Sequence, residues 1–393
     1  MYSTLAATML VQTLVMIGVV AVPVLAPLVA SSLSLPTEFS GPYQSLAFAG
    51  ATVMTLVAGT LVRRFGGLRI SQVCCLISGL GMFASASGQI VLVITGCITV
   101  GAAYGMATPG ASHVLARVTA ARFRGIVFSV KQSAVTLGGL LAGLILPPLA
   151  THVGWQAALC IAASVALVAI GLIHPLRRTL DDDRAPNYPI SFSNVFGNIK
   201  LVWDHPTLRP ISLVAFTYAT IQVTLFALYV TFLVEKVGYS LIEAGWLYAV
   251  MQGSGIVARI GWGALTDRWV SSRIALACLG IGAVVGTSIL GHATEHWSWS
   301  SMVALSTLLG ATAVGWNGIY LAEIPRQVAQ EDVSSATSGT VAFSFFGIVV
   351  GPASFAAIVA WSDSYLLPFG MFNVVILASV VYLLLSQTKP SSS

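Results

Sequence analysis

Residues 59–69 read GTLVRRFGGLR, and residues 263–273 read GALTDRWVSSR. Gly59, Leu61, Arg64 and Arg69 of the first stretch match Gly263, Leu265, Arg268 and Arg273 of the second at a constant offset of 204. Each stretch is a short basic loop between two long apolar runs. A second match pairs Gly139 and Gly143 with Gly347 and Gly351 at an offset of 208. These are small-x-x-x-small pairs, which let helices approach closely. Self-similarity at such a distance implies two related halves.

The runs around the loops are membrane spans. The chain has 393 residues, of which 56% are hydrophobic and only 8% charged. A soluble domain carries about a quarter charged residues, so the surface of this one faces lipid. The net charge of +5 is too small for nucleic-acid binding, which needs clustered basic residues. Twelve runs are long enough to cross a bilayer as helices: 5–30, 42–62, 70–89, 91–112, 126–149, 155–176, 210–234, 242–265, 274–291, 301–322, 337–361 and 365–386. No run alternates as a barrel strand would. No charge precedes Glu38, so the first run is expected to be a retained span, not a cleaved signal.

The loops set the orientation. With the N-terminus inside, 15 of the 18 Lys and Arg residues fall on the inner side, Arg122, Arg124 and Lys389 among them. Lys236 alone lies opposite, and Lys131 and Arg259 lie within spans. That bias predicts cytoplasmic termini in a cell (inner) membrane. The expected organisation is a six-helix bundle over 1–176, a cytoplasmic linker over 177–208 and a second six-helix bundle over 209–393. In the linker, Phe192, Val195, Phe196, Ile199, Val202 and Trp203 recur at helical spacing. They predict a short amphipathic helix on the membrane surface or on the bundle.

Two six-span halves, a long central loop and a G-x-L-x-D-R-type loop after spans 2 and 8 resemble the major facilitator superfamily over essentially the whole chain. The resemblance implies an all-α integral membrane fold of two pseudo-symmetric bundles that rock about a site near the bilayer midplane. It also implies gating by Gly59, Arg64, Arg69, Gly263, Asp267, Arg268 and Arg273. The first copy departs from the family pattern, with Arg63 where the aspartate belongs and Gly67 where a basic residue is common. More of the gating is therefore expected of Asp267. An arginine common in span 4 is absent, and Cys97 stands near its place. KQSAVTLGG (Lys131 onward), the pair Pro147–Pro148 and GWQAAL (Gly154 onward) resemble bacterial cyanate and nitroimidazole permeases. The basic pair resembles carriers of oxalate and monocarboxylates.

An ionisable residue inside a span is costly and marks function by default. Lys131 in span 5 and Arg259 in span 8 are the two, and no Asp or Glu lies in a span core. In the superfamily these spans face each other across the two halves. An anion between the cations would relieve their repulsion and lost hydration, and Arg and Lys both suit a carboxylate. The expected substrate is thus a small organic anion, held by Lys131 and Arg259. Gln132, Tyr218, Gln222, Gln252, Asn317, Tyr320 and Tyr104 are candidate polar neighbours. Each of these also suits a plain helix-packing hydrogen bond. Arg259 also suits a second role, reaching the inner surface or capping helix ends.

Other chemistry finds no support. GLGMFA (Gly79 onward) and GSGIVA (Gly253 onward) mimic a dinucleotide fingerprint, but each lies inside a span with no preceding strand. The five cysteines form no C-x-x-C pair. No enzyme, cofactor or metal site is expected. The expected partners are a small anionic substrate, lipid, and protons or a counter-anion, with the chain acting as a monomer. A proton-driven multidrug or metabolite exporter and a non-transporting receptor or scaffold are the alternatives. A cationic drug would want a buried acid, and the short loops offer no signalling domain.

Overall fold

The computed structural model describes residues 2–120, 123–191, 195–329 and 332–386. Its regular structure is all helical. Two compact units emerge, one of residues 1–193 with 239–249 and the other of 194–238 with 250–393.

The first unit holds α1 (Tyr2–Val24), α2 (Ala26–Leu33), α3 (Ser40–Phe65), α4 (Gly67–Ala86), α5 (Ile90–Val118), α6 (Arg124–Val153), α7 (Trp155–Ile173) and α8 (Arg177–Leu180). The first expected span, 5–30, is two helices. Pro23 and Pro27 lack the N–H that a continuous helix would use, and the chain breaks at Leu25. Close seams hold the unit together. A carbon added at Gly101 or Gly105 of α5 would overlap the backbone carbonyls of Ala47 and Ala51 in α3. Val11, Leu14, Leu68, Cys74, Met106 and Val114 form part of its apolar core. The mimic glycine Gly79 packs against Ala163 and Leu167 of α7, as close helix packing requires.

The second unit holds α9 (Val195–Asp204), α10 (Leu208–Glu235), most of α11 (Leu241–Arg268), α12 (Ser272–Gly291), α13 (Trp299–Leu309), α14 (Asn317–Glu323), α15 (Val333–Ser362) and α16 (Leu366–Leu385). Ser240 and Glu243 start α11 with a capping box: Ser240 donates its N–H to the Glu243 carboxylate at 2.9 Å, and Glu243 returns its N–H to Ser240 Oγ at 3.3 Å. Gly347 and Gly351 of α15 lie against the backbone of α10 at Phe216 and Thr220, as the small-residue spacing predicts. Eleven helices of the described chain are long and apolar enough to cross a membrane. α11 is as long, at 28 residues, but Gln252, Arg259 and its glycines make it less apolar. The expected span 301–322 is interrupted by a π-helical turn, Gly310–Val314, between α13 and α14.

The linker divides between the units. Its acidic start clasps the first. Asp181 accepts the backbone N–H groups of Leu68 at 2.7 Å and Arg69 at 2.9 Å, capping α4. Burial pushes the Asp181 carboxyl up from its ordinary range, and those two N–H groups pull it back. Arg117 pairs with Asp182 and Asp183, both at 2.6 Å. Its guanidinium holds the Asp182 carboxyl below the usual range. His113 meets Asp183 at 2.8 Å. Ala185 donates its N–H to the Arg63 carbonyl at 2.8 Å, and the Arg63 guanidinium lies 5.3 Å from the Tyr188 ring centre. The first motif copy lacks its own aspartate, and this strap supplies one at the start of α4.

The amphipathic linker helix forms, and it packs within the second unit. Trp203 stacks on Phe343 of α15 with ring centres 6.1 Å apart, and Gly339 of α15 lies against the Asn198 backbone. Val202 is buried as its spacing predicts, but Phe196 is 87% exposed. Ten residues give α9 a narrow contact stripe on α15, and Phe196 falls outside it. Phe192 lies outside the described residues, as do Arg122, Glu331 and Lys389.

Candidate functional site

The first unit buries its membrane cation in a polar chain. Lys131 of α6 is 1% exposed. Its ammonium donates to Thr108 Oγ1 of α5 at 3.3 Å, and Thr108 donates to Gln12 Oε1 of α1 at 3.0 Å. Lys131 forms no salt bridge among the described residues. Local sequence explains the convergence. Pro109 offers no N–H to the Gly105 carbonyl, which accepts the Thr55 hydroxyl at 3.1 Å instead. Gly138 lets α6 close on Thr13 and Met16 of α1, which brings Gln12 toward the chain. Tyr104 packs edge-on against Phe48 at 5.3 Å and serves the packing of this unit. Gln132 is half-buried.

In the second unit, Gln222 of α10 is the hub. Its Oε1 accepts from Trp316 Nε1 at 2.9 Å and from Asn317 Nδ2 at 3.1 Å. Two donors on one oxygen fix the amide orientation, because an indole N–H can only donate. The amide nitrogen is what Gln222 offers a ligand. Tyr218 meets the Trp316 ring edge-on at 5.7 Å, and Tyr320 lies 5.4 Å from it. The Tyr218 hydroxyl is engaged, donating to the Leu276 carbonyl at 2.6 Å. Four expected residues, Tyr218, Gln222, Asn317 and Tyr320, thus gather around Trp316.

Arg259 is also buried, and its Nη2 donates to the Val314 carbonyl at 3.2 Å. One turn along α11, Trp262 Nε1 donates to the Ala311 carbonyl at 3.2 Å. Both carbonyls belong to the π-helical turn, where wide winding alters the backbone pairing; such turns are frequent at functional sites. Arg259 therefore does the helix-capping work that the sequence left open as its second role. Gly310 sits against the Met251 carbonyl and Ser254, and Gly255 against Val314, so α11 grips the turn closely. Gln252 is fully buried in α11.

The expected gating residues lie at helix ends. Gly59 and Gly263 face open space, with nothing within 4 Å of an added carbon. Asp267 and Arg268 are exposed, and neither forms a salt bridge among the described residues. Arg64 lies over the Phe65 ring at 5.5 Å. Arg69 is exposed, and its backbone N–H is engaged by Asp181. Arg273 donates to the Ser386 carbonyl at 2.7 Å, tying α12 to the end of α16. A cavity of about 130 Å³ in the second unit lies among Phe216, Thr220, Val350, Gly351 and Phe372. It is apolar, and no expected site residue lines it. Among the described residues no group of three or more His, Cys, Asp or Glu could hold a metal ion.

Two site residues escaped the sequence reading: Gln12 and Thr108. Gln12 had a signal, as the lone amide in the 23 residues of α1.

The sequence model of the Major Facilitator Superfamily matches residues 8–352. A putative niacin/nicotinamide transporter of Bacillus subtilis is 24% identical over 87% of this chain and 84% of its own. An uncharacterised MFS-type transporter of Mycobacterium tuberculosis is 25% identical over 76% of this chain and 66% of its own. The inward-facing, occupied structure of a bacterial homologue of the human lysosomal transporter Spinster aligns with a TM-score of 0.73 at 17% identity, over 98% of this chain and 94% of that one. A nucleoside transporter aligns with a TM-score of 0.77 at 11% identity, over 97% and 99%. These relatives do not bear out the expected likeness to cyanate, nitroimidazole, oxalate or monocarboxylate carriers.

Proposed function

Because the chain belongs to the major facilitator superfamily, and is therefore a secondary transporter of a small metabolite and not an enzyme, we propose that the metabolite is a small organic anion with a carboxylate group. One observation carries the proposal: Lys131 is buried with a single hydroxyl partner and no salt bridge among the described residues. A buried ammonium in that setting lacks a counter-charge, and an incoming carboxylate supplies one. Arg259 of the second unit is also proposed as a substrate-binding cation, leaving the Val314 carbonyl to act. The aromatic group around Trp316 suits a flat ring on the ligand. The Bacillus relative is named for niacin, a single-ring carboxylate, and for its neutral amide. The basic-residue bias further supports a cell (inner) membrane with both termini cytoplasmic. Gly263, Asp267 and Arg268 are proposed to latch another conformation of the transport cycle.

A thermal-shift screen of the purified protein tests the proposal. Small organic carboxylates are expected to raise the melting temperature, and to raise it further as their concentration increases above their dissociation constant. Lipophilic cations are expected to leave it unchanged. Stabilisation by cations with none by any carboxylate would favour the exporter alternative and end this reading.

A further inference from the structure

Lysine can only donate, so the contact at 3.3 Å makes Thr108 Oγ1 its acceptor. Thr108 in turn donates to Gln12 Oε1 at 3.0 Å. With its oxygen engaged, Gln12 has Nε2 left to offer, and that nitrogen is fully buried with no hydrogen-bond partner among the described residues. A buried donor left unmade is costly. It lies within about 9 Å of the Lys131 ammonium, the reach of two hydrogen bonds and an amide. Gln222 has the same design in the second unit, its oxygen taken by Trp316 and Asn317.

We infer that Gln12 is a specificity-determining residue: its amide N–H reads a second, uncharged acceptor on the carboxylate ligand, such as a ring nitrogen or a keto oxygen. The inference rests on the anion reading and narrows it. Lys131 takes the carboxylate, and Gln12 separates acids that carry the second acceptor from those that present a C–H or a donor in its place. A missing acceptor leaves the amide unsatisfied, which discriminates by about fivefold or more.

The test is titration of the full chain in detergent with benzoate and with the three pyridine carboxylates, picolinate, nicotinate and isonicotinate. Wild type is expected to bind one pyridine isomer at least about fivefold more tightly than benzoate. Gln12→Leu is expected to bring that ratio close to one, whatever happens to the absolute affinities. Gln12→Glu retains the acceptor for Thr108 and is expected to reverse the preference; it serves should the leucine variant not fold. Equal binding of all four acids by wild type, or an unchanged ratio in the variants, overturns the role of Gln12 and leaves the anion reading standing. No binding of any carboxylate overturns both.

Discussion

Replacing Lys131 with glutamine is expected to weaken carboxylate binding by about tenfold or more, the worth of one buried charge-assisted hydrogen bond. The same variant should melt no lower than wild type without ligand. It removes a charge that is 1% exposed and forms no salt bridge among the described residues, and removing an uncompensated charge relieves a desolvation cost. Arg259→Gln should differ in one respect. It should also lower affinity by about tenfold, but the ligand-free protein should lose about 1–3 kcal/mol, because the Val314 carbonyl loses its donor. Titration and melting of both variants in one buffer separate the two behaviours. Undiminished binding in both would return Arg259 to capping alone and leave Lys131 without a role.

The second large effect is on folding. Gly101→Val places a branched side chain where the Ala47 carbonyl of α3 already sits. Overpacking typically costs about 1–3 kcal/mol, and more where the obstacle is backbone that cannot turn aside. No monodisperse protein is expected on size-exclusion chromatography. Gly263→Ala is the counterpart. Its site is open, so folded yield and melting temperature should match wild type. Lost transport by that variant would locate its effect in another conformation of the cycle, as the proposed latch requires. A folded Gly101→Val protein would contradict the seam between α3 and α5.

The sequence shows the architecture well because its signals are strong and local. A run of twenty apolar residues has few fates, and paired loops at a constant offset expose the duplicated halves. The two cations stand out for the same reason, as costly residues within apolar runs. What stayed hidden depends on three-dimensional convergence. Asp181 reads as one acid of a solvated run, and only the fold brings it to the start of α4. The π-helical turn leaves no mark beyond Gly310 and Gly315, and its consequence is that Arg259 caps a carbonyl 55 residues away. Gln12 and Thr108 are ordinary polar residues until the approach of α1, α5 and α6 makes them a chain ending at Lys131. Phe196 shows the opposite failure: spacing alone placed it on the buried face, but the width of the docking site decides which residues of a short helix are covered.

Charge on the ligand is what this transporter is proposed to recognise. Nicotinate and nicotinamide share a ring and a ring nitrogen and differ in the carboxylate, so uptake of the two into proteoliposomes isolates that charge. On the proposed anion reading, labelled nicotinate is expected to be taken up, with excess unlabelled nicotinate suppressing its uptake and excess nicotinamide leaving it unchanged. Equal competition by the neutral amide would contradict it.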